Sequence, residues 1–231
     1  MPERRDFETR EELAKALADA VAEDLRAGIA ARGVATLAVS GGSTPAKFFA
    51  RLGKHKDVDW DKVIVTLVDE RWVPETYDRS NAMLVNEKML QGPAAVARFI
   101  PLYQGGERPD AAGIAKTIAA IGTVPSPFDA VVLGMGNDGH TASFFPGGDT
   151  LAAALDGDAV ALAINAPDAG EPRVTLSRKR LLQTRSLYLH IEGEEKVATL
   201  DKALGEGPVE AMPIRAMLRQ TDRPLIIYWA P

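Results

Sequence analysis

Residues 34–52 of this 231-residue chain read VATLAVSGGSTPAKFFARL. An apolar run over 34–39 ends in a turn of small residues over 40–45, and a helical pattern follows over 46–52. This order predicts a buried strand, a glycine turn and a helix that has Pro45 at its first position. Strand, turn and helix in succession form the unit from which parallel sheets are built.

The same alternation continues on both sides of this unit. Before it, Thr9 and Glu12 have the spacing of a capping box, which predicts an amphipathic helix that ends at Gly33. The further predicted strands are 63–68, 98–102, 130–133, 160–164, 174–176, 187–191 and 225–229, with a loop over 69–79 and helices over 81–90, 110–121, 193–204 and 213–218. We therefore expect the α/β class: a Rossmann-like, mainly parallel sheet flanked by helices on both faces, in a single domain over 1–231.

Composition and charge exclude several classes of protein. The chain has 27 basic and 32 acidic residues, a formal net charge of −5, and no basic stripe that would favour nucleic acid as a partner. Hydrophobic residues make up 46% of the chain, which argues against disorder. No apolar run reaches the roughly 18 residues of a membrane span, and no apolar segment follows the charged N-terminus. We therefore expect a cytoplasmic protein without a membrane partner.

The chain contains no cysteine and three histidines. The absence of cysteine excludes disulfides, thiolate zinc sites and cysteine nucleophiles. His55 lies among charged residues and is expected to be solvated, while His190 alternates within an apolar strand, where a structural role is the more common one. The scattered histidines lack the spacing of zinc ligands, so we expect no metal.

His140 differs from the other two because it follows a glycine-rich strand exit, two residues after Asp138. A neutral imidazole beside a carboxylate can act as a general base near neutral pH. A loop histidine that hydrogen-bonds the backbone is the alternative interpretation.

The turn after the first predicted strand is a candidate anion site. Ligands of open parallel sheets bind beyond the carboxyl ends of the strands, where Gly41, Gly42, Ser43 and Thr44 stand. Free backbone N–H groups and the helix dipole favour an anion such as phosphate there. The alternative is a tight turn with Thr44 as an ordinary N-cap. The turn lacks the lysine of a P-loop, so a nucleoside triphosphate is not indicated.

Residues 134–139 match the pattern G-x-G-x-x-G after a predicted strand, which by itself could indicate a dinucleotide site. That site needs a long helix opening inside the motif and an acidic residue about 20 positions later. Here Pro and Gly at 146–148 interrupt any helix within two turns, and the next apolar strand ends at Asn165. The pattern therefore disfavours an oxidoreductase.

Charged residues at other strand ends carry weaker signals. Asp69, Glu70 and Arg71 directly follow a predicted strand and could supply acid, base or phosphate-binding charge, or could be a solvated cluster. Arg173 at the start of a short strand and Lys196 early in a helix have no distinguishing context of their own.

Four segments taken together resemble the 6-phosphogluconolactonase family. They are 40–45, 69–74 with Ser80 and Asn81, 134–146, and 173–176, and their order and separations agree with the family along nearly the whole chain. The resemblance implies hydrolysis of 6-phospho-D-glucono-1,5-lactone to 6-phosphogluconate in the oxidative pentose phosphate pathway, with no metal or organic cofactor. It also implies a sheet related to that of glucosamine-6-phosphate deaminase.

The resemblance also implies roles for individual residues. It makes His140 the general base that deprotonates water, with Asp138 supporting the histidine loop. The residues that would hold phosphate are Gly42, Ser43, Arg173 and Lys196. The remaining expected substrate-binding residues are Gly41, Thr44, Asp69 and Arg71, of which Arg71 could contact either the phosphate or the lactone ring. The expected partner is a phosphosugar lactone, bound by a monomer or weak homodimer.

Two other functions remain open. An aminosugar-phosphate deaminase of the same fold resembles this chain, but its histidine loop carries a glutamate where Phe145 stands, and its Asp-Glu-Tyr segment is replaced by Asp69, Glu70 and Arg71. Both differences favour the lactonase. A phosphosugar-binding regulator without activity would be expected to carry a DNA-binding extension, for which the sequence offers no segment.

Overall fold

The computed structural model describes residues 2–167 and 169–231. Its strands are β1 (Glu3–Asp6), β2 (Ala35–Val39), β3 (Val63–Leu67), β4 (Asp69–Arg71), β5 (Arg98–Ile100), β6 (Phe128–Leu133), β7 (Ala161–Ile164), β8 (Arg173–Leu176), β9 (Thr184–Glu192) and β10 (Leu225–Ala230). Its α-helices are α1 (Arg10–Arg32), α2 (Ala46–Leu52), α3 (Asn81–Lys88), α4 (Ala111–Ile121), α5 (Leu151–Asp156), α6 (Arg178–Leu182), α7 (Glu194–Leu204) and α8 (Arg215–Leu218). Short 3₁₀ helices cover Trp60–Lys62, Gly92–Val96 and Val209–Ala211.

Within the described residues, seven strands form one parallel sheet in the order β1-β10-β9-β6-β2-β3-β5. Strands β2, β3 and β6 are buried at every position, which requires cover on both faces and explains their mostly apolar sequence. The expected α/β class with a mainly parallel sheet is confirmed. Because β2 and β6 are neighbours, the two glycine-rich exits that follow them open at the same edge of this main sheet.

The described chain also forms a second, three-stranded antiparallel sheet in the order β4-β8-β7. The prediction of a loop over 69–79 is therefore wrong at its start, where Asp69–Arg71 form β4. Three charged residues give no apolar pattern, and their partner strand β8 lies about a hundred positions away, so no local signal marks β4. This small sheet carries Asp69, Arg71 and Arg173.

Helix α1 forms as its end signals predict. The Thr9 side chain accepts a hydrogen bond from the Glu12 backbone N–H at 3.2 Å, and Glu12 accepts one from the Thr9 N–H at 3.3 Å. Gly33 ends the helix with φ +75°, a conformation that glycine adopts without steric cost. The fully buried face includes Leu13, Leu17, Val21 and Leu25. Each such side chain stabilises the fold by about 1.5–3 kcal/mol.

The sequence left some elements unpredicted. Strand β1 has four exposed, charged residues and pairs with β10 at the edge of the main sheet, so it shows no hydrophobic pattern. Helices α5 and α6 have six and five residues, too few for a helical period to stand out. Helix α2 begins at Ala46, and Pro45 is its N-cap residue. The prediction of Pro45 at the first helical position is therefore wrong, and so is the alternative in which Thr44 is the N-cap. In the described residues no helix is both long and apolar enough to cross a membrane.

Candidate active site

A cavity lies at the carboxyl edge of the main sheet, where it meets the small sheet. It is lined by 40–45, Asp69, Arg71, Asn81, 132–136, His140, Ala142, Arg173, His190 and Lys196. Every residue predicted for the site lines this cavity except Asp138, which instead contacts His140. The fold thus brings together residues from five separate parts of the sequence.

The segments that follow β2 and β6 are hydrogen-bonded to each other. The Ser40 hydroxyl accepts a hydrogen bond from the Gly134 N–H at 3.0 Å. Within the segment after β6, the Thr141 hydroxyl donates to the Gly134 carbonyl at 2.8 Å. A side chain at Gly41 would collide with the Asn81 amide, so the chain approaches α3 closely because it has glycine there. Gly42 has φ +93°, which likewise favours glycine. The turn therefore presents its backbone to the cavity.

His140 ends a tight turn that its own sequence builds. The Gly136 N–H donates to the His140 carbonyl at 2.9 Å. The Asp138 carboxylate accepts from both the backbone N–H of His140 at 3.0 Å and its Nδ1 at 2.6 Å. The alternative interpretation is a loop histidine whose side chain hydrogen-bonds the backbone. It is not supported, because the His140 ring is hydrogen-bonded to the Asp138 side chain.

The Asp138 carboxylate determines which ring nitrogen of His140 carries a proton. Burial raises the pKa of Asp138, but the hydrogen bond and charge of His140 outweigh it and hold that pKa below its usual range. An ionised carboxylate can only accept a hydrogen bond, so Nδ1 carries a proton, and in the neutral form of the ring the lone pair is on Nε2. In the described part of the chain no group hydrogen-bonds to Nε2, and the side chain is 30% exposed. The arrangement can accept a proton from a ligand or water.

The small sheet holds Asp69 and Arg173 away from solvent, at 5% and 8% exposure. Asp69 accepts from the Ser143 hydroxyl at 2.6 Å, and Arg173 Nη1 lies 3.9 Å from the same carboxylate oxygen. Arg173 also donates through Nη2 to the Ala169 carbonyl at 2.7 Å. Burial lowers the pKa of Arg173, and the charge of Asp69 opposes that shift. The Arg173 guanidinium is therefore a positive charge held in place at a part of the cavity that is largely shielded from solvent.

Glu70 is structural and does not line the cavity. Its carboxylate accepts from the backbone N–H groups of Arg71, Asn81 and Ala82 at 2.7–2.8 Å and from the Ser80 hydroxyl at 3.0 Å. Burial raises its pKa, and the three backbone hydrogen bonds oppose this. The interpretation of 69–71 as a solvated cluster is therefore wrong for Asp69 and Glu70. Glu70 fixes the start of α3 and, with it, Asn81.

Lys196 reaches the cavity from the first turn of α7. Burial lowers its pKa, while the charges of Asp138 and Glu195 raise it. Arg71 adds another cation from β4, and its Nη1 donates to the Arg79 carbonyl. Three cationic side chains from three elements thus line a cavity whose other walls are mostly backbone and hydroxyl groups, a combination suited to an anionic ligand.

Three buried side-chain atoms within residues 2–167 and 169–231 have no hydrogen-bond partner: Arg71 Nε, Asn81 Oδ1 and His190 Nδ1. All three belong to residues that line this cavity. Such atoms are rare in folded proteins, and three of them around one cavity leave polar groups there that a ligand or water can satisfy. Sequence reasoning missed the cavity-lining position of His190. The available signal was its place at the carboxyl end of β9.

The described residues contain no group of three or more His, Cys, Asp or Glu side chains placed to hold a metal ion. The groups that line the cavity are an imidazole together with cationic, carboxylate, hydroxyl and backbone groups.

Comparison with known proteins places this chain in a family. The family model of glucosamine-6-phosphate isomerases/6-phosphogluconolactonase matches residues 8–227. A 6-phosphogluconolactonase of Rhizobium meliloti (strain 1021) is 52% identical over 227 residues, covering 97% of each chain. The crystal structure of a 6-phosphogluconolactonase from Shewanella baltica OS155 has a TM-score of 0.97 at 42% identity and covers 100% of this chain and 98% of that one.

A monomeric glucosamine-6-phosphate deaminase has the same fold, with a TM-score of 0.76 at 17% identity over 99% of this chain and 97% of its own. That likeness concerns the fold alone. The match over 8–227 and the identities above confirm the family resemblance seen in the motifs. The chain belongs to the glucosamine-6-phosphate isomerase/6-phosphogluconolactonase family.

Proposed function

We propose that this enzyme hydrolyses 6-phospho-D-glucono-1,5-lactone to 6-phospho-D-gluconate. The observation that carries the proposal is the His140 imidazole, with Nδ1 held by an ionised Asp138 and Nε2 free at a cavity lined by Arg71, Arg173 and Lys196. The names of relatives at up to 52% identity support the same reaction.

In the proposed reaction, Nε2 of His140 takes a proton from a water molecule that attacks the lactone carbonyl carbon. The new C–O bond to water forms, the bond to the ring oxygen breaks, and the imidazolium returns its proton to the departing ring oxygen. Asp138 stabilises the imidazolium while it exists, because the carboxylate remains hydrogen-bonded to Nδ1. The acid group and the alcohol of the open-chain product result without a cofactor.

The phosphate of the substrate is assigned to Arg173 and Lys196, with Ser43 and the backbone of Gly41, Gly42 and Thr44 lining the same cavity. A charged hydrogen bond to a phosphate is stronger where water is scarce, as it is around Arg173. Asp69 orients Arg173 rather than facing the anion unscreened. The reaction would then be the second step of the oxidative pentose phosphate pathway.

A coupled assay tests this proposal directly. It follows the loss of freshly generated 6-phosphogluconolactone with and without enzyme, because the lactone also hydrolyses spontaneously, and it offers glucosamine 6-phosphate in parallel. We expect accelerated loss of the lactone and no conversion of the amino sugar. Deamination of glucosamine 6-phosphate without lactonase activity would assign the chain to the isomerase branch, and binding without turnover of either would identify a phosphosugar-binding protein.

A further inference from the structure

Phe145 lies against the imidazole of His140. The two ring centroids are 4.2 Å apart, and the planes differ by 33°. The guanidinium carbon of Arg173 is 5.3 Å from the centroid of the same phenyl ring. Phe145 is 5% exposed. One buried aromatic ring therefore touches both the proposed base and a proposed phosphate ligand.

The hydrogen bond to Asp138 does not by itself fix the plane of His140. It restrains one ring atom, Nδ1, and leaves the ring free to pivot about that contact. The solvent side of the side chain offers no packing, since His140 is partly exposed. A flat apolar face at van der Waals distance restricts this remaining freedom, because a pivot toward it would drive the imidazole into the phenyl ring and a pivot away would lose the stacking contact.

The segment that carries Phe145 is held independently of His140. The Phe145 N–H donates to the Ser143 carbonyl at 3.0 Å, and the Ser143 hydroxyl is bound to Asp69. Ala142 has φ +48°, in the left-handed region that alanine rarely adopts, so the surrounding structure holds this turn against a local preference. Phe145 is thus a fixed support rather than a side chain that follows the histidine.

We propose that Phe145 is a positioning residue for lactone hydrolysis, which sets the plane of His140 so that Nε2 points at the attacking water. The inference rests on the proposed function, in which His140 is the base. Arg173 depends less on the phenyl ring, because the Ala169 carbonyl and Asp69 already anchor its guanidinium. Loss of the ring therefore impairs proton transfer more than phosphate binding.

The test compares Phe145→Leu with Phe144→Leu in the full-length enzyme. Phe144 is fully buried one position earlier, and in the described part of the chain the stacking partner of His140 is Phe145. For Phe145→Leu we expect kcat to fall by about 10- to 100-fold, as for a small displacement of a catalytic group. KM and the affinity for 6-phosphogluconate should change little. Phe145→Tyr, which keeps the ring, should restore most of kcat.

Phe144→Leu should lower Tm and leave kcat of the folded enzyme close to wild type. A second readout does not depend on activity. In wild type the phenyl ring current should shift a His140 ring proton upfield in the NMR spectrum, and His140→Asn identifies that signal. The shift should vanish in Phe145→Leu and persist in Phe144→Leu.

The charged groups around His140 set the background for a pH profile. Asp138 lies on its own turn, Lys196 reaches the cavity from α7, Asp69 and Arg71 from β4, and Arg173 from β8 across the phenyl ring. None of these is altered in Phe145→Leu. The acid limb of the kcat/KM profile should therefore keep its direction while the plateau falls, as expected for a misplaced base.

Several results would overturn the inference. One is a Phe145→Leu enzyme that keeps kcat within about twofold of wild type, well below the loss expected of a displaced base. A second is a loss that matches the fraction of unfolded protein in both leucine variants. A third is an equal loss of affinity for 6-phosphogluconate, which would mean that Phe145 acts through Arg173. If wild type itself does not accelerate lactone hydrolysis, the proposed function fails as well, and that outcome is distinct from the other three.

Discussion

The turn that carries His140 and the strand pair that carries Arg71 and Arg173 hold charged groups in opposite ways. In the turn, the partner of His140 is Asp138, two positions away, and both side chains remain partly open to solvent. In the strand pair, Arg71 lies opposite Arg173 across antiparallel strands that are about a hundred positions apart in sequence. There, Asp69 and Arg173 are almost completely buried.

This difference follows from the cost of burying charge. The proposed catalytic pair, Asp138 and His140, is partly exposed, and a short hydrogen bond between neighbouring residues is enough to hold it. A buried guanidinium needs an opposite charge and further acceptors, and Arg173 obtains them from Asp69 and the Ala169 carbonyl. The contact between Asp138 and His140 thus depends only on neighbouring residues in one turn. The buried position of Arg173 depends on the pairing of β4 with β8.

The largest expected effect comes from removing the locally encoded base. His140→Ala should lower kcat by about 10²- to 10⁴-fold and leave the fold intact, because the side chain is only partly buried in a turn. His55→Ala is the matched control, since His55 pairs with Asp57 and Asp19 and lies outside the cavity lining. Steady-state kinetics and thermal unfolding of both variants test this. A His140→Ala enzyme with near wild-type kcat would refute the assignment.

The same pair predicts the direction of pH dependence. The lowered pKa of Asp138 keeps its carboxylate ionised to a lower pH than that of an ordinary aspartate, so the hydrogen bond to Nδ1 is retained there. A protonated imidazole cannot accept a proton from water, and kcat/KM should therefore fall as the pH is lowered. The His55→Ala enzyme should show the same profile. Activity that rises on acidification would point to a protonated group as the essential species.

A smaller effect should follow from a substitution that displaces His140 and Asp138 without removing either side chain. A Cβ at Gly136 would overlap His140 Nδ1 and lie 2.5 Å from Asp138 Oδ1, whereas a Cβ at Gly134 has its nearest neighbour, in Ser40, at 3.8 Å. Neither glycine has a positive φ, so conformational strain does not distinguish them. Gly136→Ala should lower kcat by about 100-fold, while Gly134→Ala should change it little. Equal kinetics for the two variants would show that the geometry of the Asp138 contact is not critical.

The turn that carries His140 was also the part of the site that the sequence could predict. Continuous apolar runs identified β2, β3 and β6, because strands buried on both faces show no polar alternation. The glycine-rich exits then followed from the order of strand, turn and helix. Asp138 and His140 stand two positions apart, so their contact could be anticipated from spacing alone.

The cationic residues and the pairing of β4 with β8 could not be predicted in this way. Arg173 and Lys196 have no local context that marks them, and they entered the predicted site through the family resemblance. Strand β4 has three residues, and its pairing with β8 depends on contacts distant in sequence. The hydrogen bond from Ser143 to Asp69 and the contact of Phe145 with His140 likewise appear only when the chain is folded.

The smallest expected effects concern the charges assigned to phosphate, because each variant removes one of several contacts. Arg173→Ala or Lys196→Ala should cost about 1.5–3 kcal/mol with the phosphorylated lactone, or roughly 10- to 160-fold in kcat/KM. Part of the loss can appear in kcat, since binding energy remote from the reacting carbon helps to position it. The decisive quantity is therefore the ratio of kcat/KM for 6-phosphogluconolactone to that for gluconolactone.

That ratio should fall in both variants, and more in Arg173→Ala, because the guanidinium acts in a drier environment than the half-buried ammonium of Lys196. Lys202→Ala, an exposed site on the same helix, should leave the ratio unchanged. Arg173→Lys should restore the ratio partly, since the charge returns without the planar fork. Thermal unfolding separates these effects from destabilisation when Asp69 loses its partner. If both lactones lose activity by the same factor, Arg173 and Lys196 act on the sugar ring or on the fold, and their assignment to phosphate is wrong.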